Sequence, residues 1–85
     1  MNTYDISEYG INRFGYRLMY ANKNNEALKI FKLNTELYYG WFTYDSYGEC
    51  LLKVGDTVNA IKAYNKSLEL NPDNTTAKNI LAKIK

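Results

Sequence analysis

Asp45 and Glu49 stand four residues apart, with Ser46 between them. On a helix that spacing puts both carboxylates on one face, near enough to share a substrate or bind a cation. Ser46 adds a hydroxyl and Cys50, next along the chain, a thiol. Each of these chemistries needs a further group. Histidine is absent from the sequence, which removes every arrangement that uses imidazole as base or as metal ligand. No third ligand stands near the carboxylate pair, and paired carboxylates on an exposed helix are normally solvated surface. Cys50 has neither a histidine nor a CxxC partner, so it reads as a packing residue inside a helix. The expectation is a chain with no catalytic activity of its own, no metal and no cofactor.

Composition narrows the class further. Eighty-five residues suit one domain near the low end of sizes that fold unaided. A chain 46% hydrophobic and 24% charged is in the range of globular proteins. No apolar run approaches the roughly 18 residues that span a bilayer, so no membrane partner is expected. No basic n-region leads into an apolar h-region, so the chain reads as lacking a signal peptide. As a piece of a longer protein it would be cytoplasmic or periplasmic. The formal charge of +2 does not call for a nucleic acid. Lys78, Lys83 and Lys85 gather at the end, where cations oppose the negative pole of a helix dipole.

What must position any site is an internal repeat. Shifting the chain by 33 residues puts Gly15 on Gly48, Leu18 on Leu51, Ala27 on Ala60, Phe31 on Tyr64 and Leu37 on Leu70. Ile11 and Phe14 fall on Tyr44 and Tyr47, and a truncated third copy continues with Ala77, Ile80 and Ile84. Each unit reads as two helices. Ile11, Phe14, Leu18 and Ala21 form one helical stripe, and Ala27, Leu28, Phe31 and Leu37 the next. The second unit repeats this with Tyr44, Tyr47, Leu51 and Val54, then Val58, Ile61, Tyr64 and Leu68.

Breakers fall between the stripes. Gly55 suits a left-handed helix end, with Asn22 in its place in the first unit. Asp56 or Thr57 can cap the following helix. Asn71-Pro72-Asp73 ends the fourth helix and begins the fifth. Asp5 with Glu8 resembles a capping box that starts the first helix near residue 6. Gly15 and Gly48, opposite Ala27 and Ala60, are small where paired helices approach closely. The fold expected is all-α: five helices, as two helix-turn-helix units (about 8–40 and 41–73) and a capping helix (about 74–85), in one domain.

Ile11-x2-Phe14-Gly15-x2-Leu18 followed by Ala27-x3-Phe31 resembles the tetratricopeptide repeat. So does Tyr44-x2-Tyr47-Gly48-x2-Leu51 followed by Ala60-x3-Tyr64 and Pro72. The first unit departs at Tyr39, where the family usually has proline, and is a residue short, with Gly40 marking the deletion. The resemblance implies an α-solenoid with a right-handed superhelix, and a protein-interaction or scaffolding role. A narrower resemblance, in Phe31-Lys32-Leu33-Asn34, Tyr44-Asp45-Ser46-x-Gly48-Glu49 and Lys66 to Pro72, is to tails behind bacterial serine hydrolases of the beta-lactamase-like type. It implies an accessory domain that shapes or docks such an enzyme.

The family resemblance also implies a concave groove lined by the first helix of each pair. It exposes Tyr9, Asn12, Arg13, Tyr16 and Tyr20 from the first unit. Phe42, Asp45, Ser46, Glu49 and Lys53 follow from the second, and Lys78 and Asn79 from the closing helix. Tyrosine offers wide contact area with few rotors to freeze. Glu49 would repel a terminal carboxylate, so the chaperone-tail clamp of some family members is not expected. Trp41, with Tyr38, Tyr39 and Phe42, forms an aromatic cluster at the inter-repeat turn, read either as a plug over the shortened joint or as an anchor for a partner or a preceding domain. Expected partners are a protein, a peptide or a preceding domain of the same polypeptide. No equivalent cap is expected before the first helix, apart from Tyr4 and Ile6, so that end should be sticky, which suggests a domain excised from a longer chain or a weak homodimer.

Overall fold

A computed structural model describes residues 8–84 as five helices, with side chains described from Gly10 onward. They are α1 (Glu8–Tyr20), α2 (Asn24–Leu37), α3 (Trp41–Lys53), α4 (Thr57–Leu70) and α5 (Thr75–Ile84). Turns of three or four residues join them. The capping box expected at Asp5, the cover expected from Tyr4 and Ile6, and the charge of Lys85 lie outside the described residues.

Each helix packs mainly on its chain neighbours, with a smaller contact of α1 on α3. The molecule is accordingly elongated, at 43 × 26 × 18 Å. Its core is a series of three clusters. Met19, Ala27, Phe31 and Cys50 make the first, Leu51, Ala60 and Ala63 the second, and Tyr64, Ala77 and Leu81 the third. Leu28 and Tyr47 touch the first and second, and Leu52 the second and third. Serial clusters of this kind are what a stack of repeats produces.

Glycine is required inside α1 and α3 for steric reasons. A Cβ on Gly15 would stand 2.7 Å from the Phe31 ring, and one on Gly48 would stand 2.8 Å from the Tyr64 ring. Both rings are fully buried. Ala27 and Ala60 are fully buried as well, so the small residues on both helices are used.

The turns follow local chemistry. Gly55 has φ +86° and Asn22 φ +63°, the left-handed conformation that ends a helix. Asp56 caps α4, its Oδ1 accepting the Asn59 backbone N–H at 3.2 Å and its Oδ2 the Asn59 side-chain amide at 2.7 Å. Asn74, rather than Asp73, caps α5 by accepting the Ala77 N–H at 3.3 Å. Asn71 instead closes the preceding turn, accepting the Asp73 N–H at 3.2 Å.

The apolar stripes need correction. Phe14 is 50% exposed, Leu37 and Val58 are more exposed still, and Ala21 and Val54 face solvent too. The buried arc of α1 centres on Gly15 and Met19 instead. Periodicity identifies an apolar face but not the helix that covers it. Buried hydroxyls were likewise missed, because they depend on carbonyls brought by the turns. Thr43 shares its O–H between the carbonyls of Tyr38 (2.9 Å) and Gly40 (2.8 Å). Ser67 donates to the Trp41 carbonyl at 2.8 Å. Both thus satisfy backbone groups at the joint between helix pairs.

The Asp56 carboxyl is held below its ordinary value, chiefly by the hydrogen bonds from Asn59. Its charge therefore stabilises the native state above the usual carboxylate range, and that contribution is lost as pH falls through the depressed native value. Asp56→Ala should lower the melting temperature clearly at pH 7 and progressively less in acid. Thermal melts by circular dichroism across that range check this; a deficit that does not change with pH would contradict it.

Candidate functional site

The side chains singled out on α1 and α3 meet at a polar seam. The Tyr16 hydroxyl donates to Glu49 Oε1 at 2.7 Å and lies 3.3 Å from Ser46 Oγ. Burial pushes the Tyr16 phenol well above its ordinary value, so it remains a donor through the alkaline range. Its ring packs edge-on against Phe31, with centroids 5.0 Å apart, and stacks on Tyr20 at 5.9 Å and 28°. Tyr20 is 73% exposed. One ring of the pair is thus fixed by the core and the other is presented to solvent.

The seam continues from Asp45. Asn74 Nδ2 donates to Asp45 Oδ2 at 3.3 Å and to Ser67 Oγ at 2.9 Å. Ser67 in turn donates its O–H to the Trp41 carbonyl. Asn74 therefore uses its amide nitrogen to join α3 to α4 and its oxygen to start α5. Sequence reasoning missed it. The available signal was an asparagine just before Thr75, a strong N-cap type at the right place.

The remaining residues divide plainly. Arg13, Lys53, Lys78 and Asn79 are exposed, and Phe42 is half-buried with its ring 6.0 Å from that of Trp41. Asn12 is half-buried, and its Oδ1 has no hydrogen-bond partner among the described residues. Tyr9 is in α1, but its side chain lies outside the described residues. Ser46 is buried beside the Tyr16 hydroxyl rather than presented on the surface. The aromatic cluster at the turn separates into two pairs. Trp41 meets Phe42, whereas Tyr39 meets Tyr44 at 5.9 Å and lies beneath Lys66 Nζ at 5.0 Å. Trp41 is 40% exposed, open enough to be touched.

The carboxylates and the thiol of α3 have structural partners. Glu49 accepts from Tyr16 and Asp45 from Asn74. Cys50 is fully buried, its Sγ 4.0 Å from the Asn24 carbonyl, and burial raises its thiol above the ordinary value. A thiol in that state is a poor nucleophile. Among the described residues no group of three or more His, Cys, Asp and Glu side chains is placed to hold a metal ion. No helix of the described residues is long and apolar enough to cross a membrane.

Burial, with a smaller push from Glu49, raises the Asp45 carboxyl above its ordinary value despite the bond from Asn74. The native state then holds this proton more tightly than the unfolded chain, so the ionised carboxylate subtracts stability at neutral pH. Asp45→Asn keeps an oxygen for Asn74 and should raise the melting temperature at pH 7. The gain should vanish below about pH 3, where Asp45 is protonated in both states. A lowered melting temperature at pH 7 would contradict this reading.

Comparison with known families agrees with the geometry. Residues 41–74 match the tetratricopeptide repeat family model, a segment that runs from the start of α3 to the Asn74 cap. No match was found among curated proteins or among solved structures. The matched segment contains the glycine seat, the ring that fills it and the hydroxyl that closes the joint. Residues 41–74 are thus similar to a tetratricopeptide repeat, and the described residues as a whole form an all-α stack of helices, each packed mainly on its chain neighbours.

Proposed function

We propose that this chain is a protein-interaction module with no catalysis of its own, and that it takes a segment of a partner along the seam face of α1, α3 and α5. Tetratricopeptide repeats serve protein–protein interaction and scaffolding. The observation that carries the finer reading is the Tyr20–Tyr16–Glu49 line, in which a half-buried hydrogen-bonded ring backs an exposed one. Holding a tyrosine ready in this way reduces the entropy lost when a partner seats against it.

Charge sets the type of segment. Among the described residues neither Asp45 nor Glu49 has a cation within ion-pair distance, Lys66–Glu69 being the pair that forms. A lysine or arginine side chain on the partner would supply the missing charge, beside tyrosine faces that also attract cations. A free terminal carboxylate would be repelled. On this reading Asn12, Arg13, Lys53, Lys78 and Asn79 would flank the centre, Trp41 and Phe42 would serve as an apolar anchor at its edge, and Tyr9, one turn before Arg13 on α1, would extend it. The segment belongs either to another protein or to another domain of the same polypeptide.

Selection of displayed peptides on the immobilised chain tests the reading. Enriched peptides should carry a basic residue and bind at least about tenfold more weakly to Tyr20→Ala and to Glu49→Gln, a loss of about 1.4 kcal/mol. Peptides that bind both variants undiminished, or that depend on a free C-terminal carboxylate, would contradict it.

A further inference from the structure

The 33-residue repeat permits a comparison of α1 with α3, position by position. Arg13, Phe14 and Arg17 correspond to Ser46, Tyr47 and Cys50. In α3 these three lie under the α1–α2 pair. Ser46 is buried beside the Tyr16 hydroxyl, Tyr47 packs against the cluster of Met19, Ala27, Phe31 and Cys50, and Cys50 is enclosed within that cluster. In α1 the equivalent face is open: both arginines are exposed and Phe14 is half exposed. Among the described residues no carboxylate lies within ion-pair distance of either arginine.

A helix resembling α2 is unsuited to this face. At the Cys50 position α2 presents the Asn24 carbonyl and the Phe31 ring, which enclose a thiol. They would leave two guanidinium groups buried without counter-charge, which is strongly disfavoured. Arg in place of Ser and of Cys therefore favours an occupant that brings counter-charge. Arg13 and Arg17 are one helical turn apart, and their forks match carboxylates in a bidentate manner. Phe14 between them needs apolar cover.

We infer that the outward face of α1, centred on Arg13, Phe14 and Arg17, docks an acidic amphipathic helix of a partner protein. The partner helix supplies carboxylates one turn apart to the two arginines and a leucine-type side chain to Phe14. Apart from Arg13, which borders both, this face shares no residue with the Tyr20–Glu49 seam and favours the opposite charge, so it stands whether or not the seam binds a basic segment.

The test uses the whole chain and a synthetic helical peptide of about 16 residues built from leucine, alanine and glutamate, with a twin carrying glutamine for every glutamate. Amide shifts in nuclear magnetic resonance spectra locate the contact, and titration gives its strength. Shifts should centre on Arg13, Phe14 and Arg17. Affinity should fall at least about tenfold for the glutamine twin, for the combined Arg13→Gln and Arg17→Gln variant, and for Phe14→Ser. Equal affinity for the two peptides, shifts confined to Tyr20, Asp45 and Glu49, or no shift with either peptide would overturn the inference. So would arginine-dependent binding to vesicles one-third phosphatidylserine without peptide binding, or peptide-free α1 shifts that grow with protein concentration.

Discussion

Phe31 and Tyr64 each occupy space that only a glycine leaves free. The distance from a hypothetical Cβ to either ring is below 3 Å, shorter than real side chains tolerate. Because both rings are fully buried among other side chains, neither has room to retreat. The contact fixes how closely α1 approaches α2 and α3 approaches α4. It also sets the position of the Tyr16 ring, which packs edge-on against Phe31 and carries the hydroxyl that reaches Glu49. The polar seam thus inherits its geometry from a steric constraint in the core.

Joining one helix pair to the next requires a different kind of contact. The carbonyls of Tyr38, Gly40 and Trp41 accept from Thr43 and Ser67 at the joint, and Asn74 binds Ser67 in turn. A larger apolar side chain at Thr43 or Ser67 would leave buried carbonyls unmet. The polar core residues therefore specify the joint, while apolar clusters supply most of the cohesion on either side of it. Asn74 links the two functions, because its other proton goes to Asp45 on the seam.

Features determined by local chemistry were readable from the sequence alone. Gly15, Gly48, Asn22, Gly55 and the Asp56 cap depend on backbone conformation or on one neighbouring helix, and each is where the pattern placed it. Features that depend on a missing or distant neighbour were not. Phe14 and Val58 belong to apolar stripes, yet a stripe does not reveal whether another helix lies opposite. Ser46, Thr43 and Ser67 are polar types whose burial follows from partners 3 to 30 residues away. Tyr16 and Glu49 were both legible as surface candidates on neighbouring helices, but their direct bond required the actual approach of α1 to α3. Tyr39 paired with Tyr44 rather than with Trp41 for the same reason.

The dependence of the fold on the ring–glycine contact is tested most directly by a double-mutant cycle between Gly48 and Tyr64, read from urea denaturation. Gly48→Ala alone should destabilise by about 1–3 kcal/mol through overpacking. With Tyr64→Leu already in place the obstruction is gone, and the same substitution should become neutral or stabilising, because alanine is favoured over glycine inside a helix by about 0.5–1 kcal/mol. A change of sign between the two backgrounds is the predicted result. An equal loss in both would contradict the account.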